Sequence, residues 1–252
     1  MKNFDKTKIV ILAAGKSTRM KSDIPKALMP LNNKPFIKHI LDTIKKIDPN
    51  IEPIIVVGHK KEMLQKVLGK DYTYAEQREQ LGTGHAVLSA KNTITTPHDI
   101  VIVLAADQPM VSKETLEGII EKHGEKKPTI TMGTVTVPDF EDWRAGLNHF
   151  GRIIRGSNGL VKKIIEFKDA TDEERKIKEL NPALYAFDSI WLWENIDKLK
   201  NKNIQGEYYL TDLIKIAFEQ NKKIETVSIT NIIEALQPNT KEELENLEKI
   251  TS

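Results

Sequence analysis

Three stretches of this chain combine residue types and spacings that could do chemistry. The first is Leu12-Ala13-Ala14-Gly15-Lys16-Ser17-Thr18-Arg19-Met20, followed by Pro25-Lys26. After Leu12 the small residues Ala13, Ala14 and Gly15 let the backbone pass close to a ligand, and its N–H groups can cradle phosphate. Arg19 adds a planar, always-charged fork and Lys26 a compact point charge. The alternative is a surface loop of solvated charge. It is not a P-loop, because Gly15-Lys16-Ser17 lacks the preceding glycine at the required spacing. The second stretch, Gln77-Arg78-Glu79-Gln80-Leu81-Gly82-Thr83-Gly84-His85-Ala86, places Gly-Thr-Gly before a helix. Such a turn suits close approach to a base or sugar, and the Gln77 amide can both donate and accept, as a pyrimidine edge requires. Taken alone, a plain turn and helix cap is the better reading. The third is Asp107, after the apolar run Ile100–Leu104. A carboxylate at the end of a central strand can hold Mg²⁺ against triphosphate oxygens, or it can cap the turn before Pro109.

These residues need elements that deliver them to one place. Lys8–Ala13 is β-branched, short and unbroken, as in a strand buried on both faces. Pro53–Gly58 and Ile100–Leu104 read the same way, and Tyr72–Ala75 as a short strand. Helical spacing marks Pro35–Ile47, Lys61–Leu68 (with Met63, Leu64, Val67 and Leu68 apolar), Gly84–Ala90 and Ser112–His123, the last with Ser112 as N-cap. Alternation of this kind predicts an α/β fold, a doubly wound and mostly parallel sheet. Its ligands bind beyond the carboxyl ends of the strands, where the Gly15 loop and Asp107 both fall. The second half predicts a strand over Thr129–Val137, a hairpin of Gly151–Arg155 with Val161–Ile165, a strand at Ala183–Phe187, a helix over Tyr209–Glu219 and a surface helix over Thr240–Ile250. The expected organisation is one domain over 1–252. Residues to about 125 would form the first half, and those from about 126 an acceptor lobe built on it, with the C-terminal helix.

Composition narrows the partners. With 252 residues, 38 Lys and Arg against 36 Asp and Glu, and a formal net charge of +2, the chain has no long-range pull toward a nucleic-acid polymer or an anionic membrane. It has no cysteine, which excludes disulfides and thiolate metal sites. No apolar run approaches the length of a spanning helix, about 18 residues, and the N-terminus lacks a leader-like core. A soluble, cytoplasmic protein is expected.

In full, the first stretch resembles the signature loop of the sugar nucleotidyltransferases, Leu-Ala-Ala-Gly-x-Gly-Thr-Arg-Met then Pro-Lys, with Ser17 in place of the second glycine. The Gln77–Ala86 string resembles the base-recognition segment of the bacterial N-acetylglucosamine-1-phosphate uridyltransferases, and Gln205-Gly206-Glu207-Tyr208-Tyr209-Leu210-Thr211-Asp212 is similar to another of their markers. There Tyr208, Tyr209 and Leu210 read as packing, and Thr211 or Asp212 as a helix cap. Asp107-Gln108-Pro109 also resembles the molybdenum-cofactor nucleotidyltransferases. The resemblance runs from about Ile9 to about Leu244.

By this resemblance Leu12, Ala14, Gly15, Gln77, Gly82 and Thr83 would bind the nucleotide, and Asp107 and Asn239 would bind Mg²⁺. Gly151, Glu166 and Asn181 would bind the N-acetylamino sugar. Arg19 and Lys26 would be the catalytic cations of an in-line attack by a sugar 1-phosphate on the α-phosphorus of UTP. On the residues alone, an N-cap at Asn239 or Thr240 reads at least as well and could coexist with the metal role, and Glu166 and Lys168 read better as surface charge on a strand end. The family usually has Asn-Thr-Gly where this chain has Asn181-Pro182-Ala183. The left-handed β-helix that many relatives carry does not follow in this sequence, so a monomer or weak dimer is expected. Another base or sugar on the same fold, or a sugar-nucleotide sensor without turnover, are the alternative functions.

Overall fold

The computed structural model describes residues 3–15, 20 and 22–251. In chain order its elements are β1 (Thr7–Leu12), β2 (Pro30–Leu31), β3 (Lys34–Pro35), α1 (Phe36–Ile47), β4 (Ile54–Val57), α2 (Lys61–Leu68), β5 (Thr73–Glu76), α3 (Thr83–Ala90), β6 (Ile100–Ala105), α4 (Lys113–Lys126), β7 (Ile130–Thr136), β8 (Gly151–Arg155), β9 (Val161–Ile165), α5 (Asp172–Arg175), β10 (Glu179–Asn181), β11 (Tyr185–Asp188), α6 (Ser189–Asn195), α7 (Asp212–Glu219), β12 (Ile224–Ser228) and α8 (Lys241–Thr251). The sheet runs β5-β4-β1-β6-β11-β7-β10-β8-β9, with β12 also paired to β7. β5, β4, β1 and β6 are mutually parallel, and β12 is parallel to β7. β11 alone is reversed between β6 and β7, so the central sheet is mixed but mostly parallel.

Each face of the sheet carries its own apolar layer. Ile9 and Ile11 of β1 pack with α1, α2 and α4 on one side. Val10 packs with α3, α6 and α7 on the other, as the period-2 pleat of a doubly covered strand requires. β1 is followed by β4 on one flank, and the chain returns through α3 to β6 on the other. This reversal opens a crevice at the carboxyl ends of β1 and β6, the usual ligand position in such sheets. Main-chain bonds from Ala106 to the Leu12 carbonyl and from Ala13 to the Val56 carbonyl, both 2.9 Å, hold its floor.

β7 changes partner along its length. Ile130–Met132 face β11, whereas Val135 and Thr136 face β10. From there β10, β8 and β9 continue as a wholly antiparallel extension, so the second half departs from parallel winding. β2, β3, β10, β12, α5 and α6 have no counterpart in the elements expected from sequence, because each is short and lacks a clear period. α2 buries Leu64 and Leu68, while Met63 and Val67 face solvent; eight residues are too few to bury so wide a stripe. α7 begins at Asp212 rather than Tyr209, because the preceding residues are engaged by another loop. α8 is more than a surface helix: Leu247 is fully buried and Leu244 nearly so.

Candidate active site

The crevice widens into a cavity of about 690 Å³, within the range typical of small-molecule sites. Of the residues selected from sequence, Leu12, Ala14, Gly15, Lys26, Gln77, Gly82, Thr83, Asp107, Gly151, Glu166, Asn181 and Asn239 all line it. Arg19, together with Lys16, Ser17 and Thr18, lies outside the described residues. The β1 and β6 ends supply the floor, the β5–α3 turn one wall and the antiparallel extension the opposite wall.

At the centre, Lys26 Nζ donates to Asp107 Oδ2 at 2.5 Å and to Asn239 Oδ1 at 2.7 Å. One cationic group thus bridges the two side-chain oxygens expected to hold metal. Asp107 Oδ1 is buried with no hydrogen-bond partner among the described residues. A carboxylate oxygen left in that state, beside an amide oxygen, is a hard donor pair of the kind Mg²⁺ takes when phosphates and waters complete its shell. No cluster of three or more His, Cys, Asp or Glu suited to a metal occurs among the described residues, so the protein's own share of such a shell would be small. The question of the helix cap is resolved: Thr240 accepts from the Glu243 amide at 3.1 Å. Asn239 stands one residue earlier, its Nδ2 donating to the Gln237 carbonyl and its amide to Glu243 Oε2.

On the wall formed by the β5–α3 turn, Gln77 is buried and its Nε2 donates to the Gly82 carbonyl at 3.0 Å and meets His85 Nδ1 at 3.1 Å. With the nitrogen so engaged, the group Gln77 can offer a ligand is its carbonyl oxygen. Gly82 has φ +106°, and a Cβ there would lie 2.7 Å from the Tyr208 carbonyl oxygen. Only glycine fits on both counts. Gly84 donates to the Tyr208 carbonyl, Tyr208 to the Leu81 carbonyl and Leu210 to the Thr83 hydroxyl. Two motifs read separately from sequence are therefore one interlocked wall.

On the opposite wall, Gly151 of β8 pairs in register with Asn181 of β10, and Glu166 follows β9 directly. A Cβ on Gly151 would come within 2.8 Å of Ile164. Asn181 Oδ1 accepts from the Tyr185 hydroxyl at 2.7 Å and the Ala183 amide at 3.1 Å. Glu166 is half-buried on the cavity wall. Burial pushes its carboxyl above the usual range, reinforced by Asp169, Asp212 and Glu207 and opposed by the hydrogen bond from Thr211. That Thr211 hydroxyl donates to Glu166 Oε1 at 3.0 Å and makes no cap to α7, nor does Asp212, which is already the first helical residue. Ala183 sits at φ +60°, in the left-handed region where the family pattern has glycine.

Sequence reading missed several contributors. Gln80, His149, Tyr185, Glu207 and Gln237 also line the cavity. Arg152 is fully buried and is spent on structure. Its guanidinium donates to the Phe150, Asn148 and Arg175 carbonyls and to the Asn148 side chain, and it stacks on Phe140 and Phe167. It holds the 148–150 loop beside Gly151. A charge alternating with Ile153 on a strand was the available signal, but alternation implied exposure.

Residues 9–186 match the MobA-like NTP transferase domain family. The chain is 40% identical over 245 residues to the bifunctional protein GlmU of Bacillus licheniformis, covering 97% of this chain and 52% of that protein. It is 38% identical over 241 residues to that of Enterococcus faecalis, at 96% and 51%. It thus spans about half the length of these curated relatives. Among solved structures, a UDP-glucose pyrophosphorylase complexed with UDP-glucose superimposes with a TM-score of 0.76 at 17% identity, covering 97% of this chain and 98% of that one. A putative glucose-1-phosphate thymidylyltransferase from Bacillus anthracis gives 0.75 at 18%, covering 97% and 94%. These two likenesses establish the fold. The motif resemblance and the comparisons lead to the same place: the chain belongs to the MobA-like NTP transferase domain family.

Proposed function

We propose that the protein is a sugar-1-phosphate nucleotidyltransferase that transfers the uridylyl group of UTP to N-acetylglucosamine 1-phosphate, yielding UDP-N-acetylglucosamine and pyrophosphate. The observation that carries this reading is the meeting of both walls around the Lys26–Asp107–Asn239 bridge in one cavity. The likeness to bifunctional GlmU proteins supports the choice of reaction.

Each wall has its task. The residues around Leu12, Ala14 and Gly15 receive the nucleotide, and the Gln77 carbonyl accepts the uracil imide N–H between Gly82 and Thr83. Glu166 and Asn181 hold the hydroxyl and acetamido groups of the sugar, with Gly151 leaving room. A phosphate oxygen of the sugar 1-phosphate then forms a bond to the α-phosphorus. The bond to the bridging oxygen breaks, and pyrophosphate leaves with that electron pair. Lys26 and Arg19 offset the charge that gathers on the phosphate oxygens, the dominant need in such a transfer. Mg²⁺ held by Asp107 and Asn239 would supply further fixed positive charge to those oxygens. No nucleophilic side chain is needed, and His85, engaged by Gln77, stays out of the chemistry.

In this proposal the chain works as one unit in the cytoplasm, with small-molecule substrates. No helix among the described residues is long and apolar enough to cross a membrane. A monomer or weak dimer is part of this proposal. A stable trimer by light scattering would refute that part. The decisive test is pyrophosphate release across four nucleoside triphosphates and several sugar 1-phosphates with Mg²⁺. UTP with N-acetylglucosamine 1-phosphate should be fastest. Equal or faster release with ATP, CTP or dTTP removes the base assignment. A preference for glucose 1-phosphate removes the sugar assignment.

A further inference from the structure

The segment that carries Asn239 has its own attachment to the loop that carries Asp107. Gln108, next to Asp107, is buried, and its Nε2 donates to the Glu234 main-chain carbonyl at 2.9 Å. The Glu234 carboxylate returns to the same loop, accepting from the Ser112 amide at 2.9 Å. Ser112 is also the N-cap of α4, so Glu234 places its negative charge at the positive end of that helix. Glu234 therefore accepts twice from the loop that carries Asp107, through its main-chain carbonyl from Gln108 and through its carboxylate from Ser112. Beyond Glu234 the chain passes through Gln237, whose Nε2 donates to the Pro182 carbonyl at 2.9 Å and whose carbonyl accepts from Asn239 Nδ2 at 2.7 Å.

We propose that Gln108 and Glu234 are positioning residues that clasp the two loops together and set the spacing between the Asp107 and Asn239 oxygens, so that a divalent cation can be held by both. This rests on the reading of Asp107 and Asn239 as a metal seat. Neither Gln108 nor Glu234 lines the cavity; each acts through its neighbour. Mg²⁺ demands near-ideal oxygen geometry at about 2.0–2.1 Å, so a loop free to shift by a fraction of an ångström weakens the seat even with both ligands present. The clasp is buried, where a hydrogen bond holds its geometry without competition from water.

The test is Mn²⁺ binding, read from loss of the free-ion electron paramagnetic resonance signal, to protein saturated with an α,β-methylene analogue of UTP. Gln108→Met keeps the side-chain volume and removes the donor. It should weaken Mn²⁺ binding about tenfold and raise the Mn²⁺ needed for half-maximal turnover by a similar factor. Turnover at saturating Mn²⁺ should stay within about threefold of wild type, with KM for both substrates unchanged. Glu234→Ala, which frees the Ser112 amide, should move the same quantities in the same direction and serves if Gln108→Met does not fold. A lower melting temperature with unchanged Mn²⁺ binding in a folded variant would overturn the clasp. Asp107→Asn separates the two readings. If it abolishes Mn²⁺ binding while the clasp variants bind normally, the seat stands and the clasp fails. If Asp107→Asn binds Mn²⁺ normally, the seat itself fails.

Discussion

Lys26 and Asp107 are 81 positions apart, yet their charged atoms meet at 2.5 Å. Replacing Asp107 by Asn keeps an oxygen for Lys26 and removes the charge. If Asp107 serves the reaction, turnover should fall by about 10²–10³, or roughly 3–4 kcal/mol. The pair is largely buried, its side chains 13% and 25% exposed, so removing the charge leaves Lys26 less compensated and stability should fall by about 1–3 kcal/mol. Turnover measured against Mg²⁺ concentration, alongside thermal melts, checks both. A second residue-scale expectation concerns Ala183, whose φ of +60° costs roughly 1–2 kcal/mol for a residue with a Cβ. Ala183→Gly relieves this but adds about 0.5–1 kcal/mol of unfolded-chain entropy. The net should be a stabilisation of up to about 1 kcal/mol by urea denaturation, and a loss of stability would contradict it. The Pro182-Ala183 departure was legible in sequence. That it places a methyl group in a left-handed turn on the cavity wall was not, because dihedral angles at such positions depend on what the turn must join.

At the scale of elements, the Gly82-Thr83-Gly84 turn and the Tyr208–Leu210 segment are each other's support. Gly82→Ala would drive a Cβ to 2.7 Å from the Tyr208 carbonyl in a conformation disfavoured for alanine. Destabilisation of at least about 2 kcal/mol is expected, with a larger KM for the nucleotide, measured by urea unfolding and steady-state kinetics. A stable Gly82→Ala protein with normal KM would show that the wall tolerates separation. Sequence marked both segments as unusual, since glycines before a helix and paired tyrosines carry local signals. Their docking was invisible, because a main-chain hydrogen bond between distant loops leaves no trace in residue type. The same holds for Arg152, whose partners are nearly all carbonyls.

For the whole molecule, α4 packs on β7 and β12 and so joins the parallel half to the antiparallel one. At this seam His123 is buried, its Nδ1 is 3.0 Å from the Thr131 hydroxyl, and burial pushes its pKa down from 6.5 to about 4, with Asp188 opposing. The unfolded chain therefore binds a proton that the folded chain refuses between those values. The contribution of neutral His123 is complete above pH 6.5 and is lost as pH falls toward 4, by roughly 3 kcal/mol in all. Urea midpoints from pH 7.5 to 4.5 should fall less steeply in His123→Gln than in wild type. Parallel curves would show that His123 does not govern acid stability. Carboxyls raised by burial, such as Glu166, act in the opposite sense and are common to both proteins.

What the sequence by itself determined is the part written in local chemistry. Unbroken β-branched runs specified buried strands, helical spacing specified the covering layers, and their alternation placed the Gly15 loop and Asp107 at one end of a doubly wound sheet. The order of the motifs specified the family. What only the tertiary structure decided is where distant residues meet. The reversal at β11, the antiparallel turn of β7 toward β10, the opposition of Gly151 and Asn181, and the bridge of Lys26 between Asp107 and Asn239 all depend on pairings across many residues. Strand partners are chosen by the packing of the whole sheet, since the pleat of each strand is satisfied by many neighbours and only one arrangement buries both faces at once.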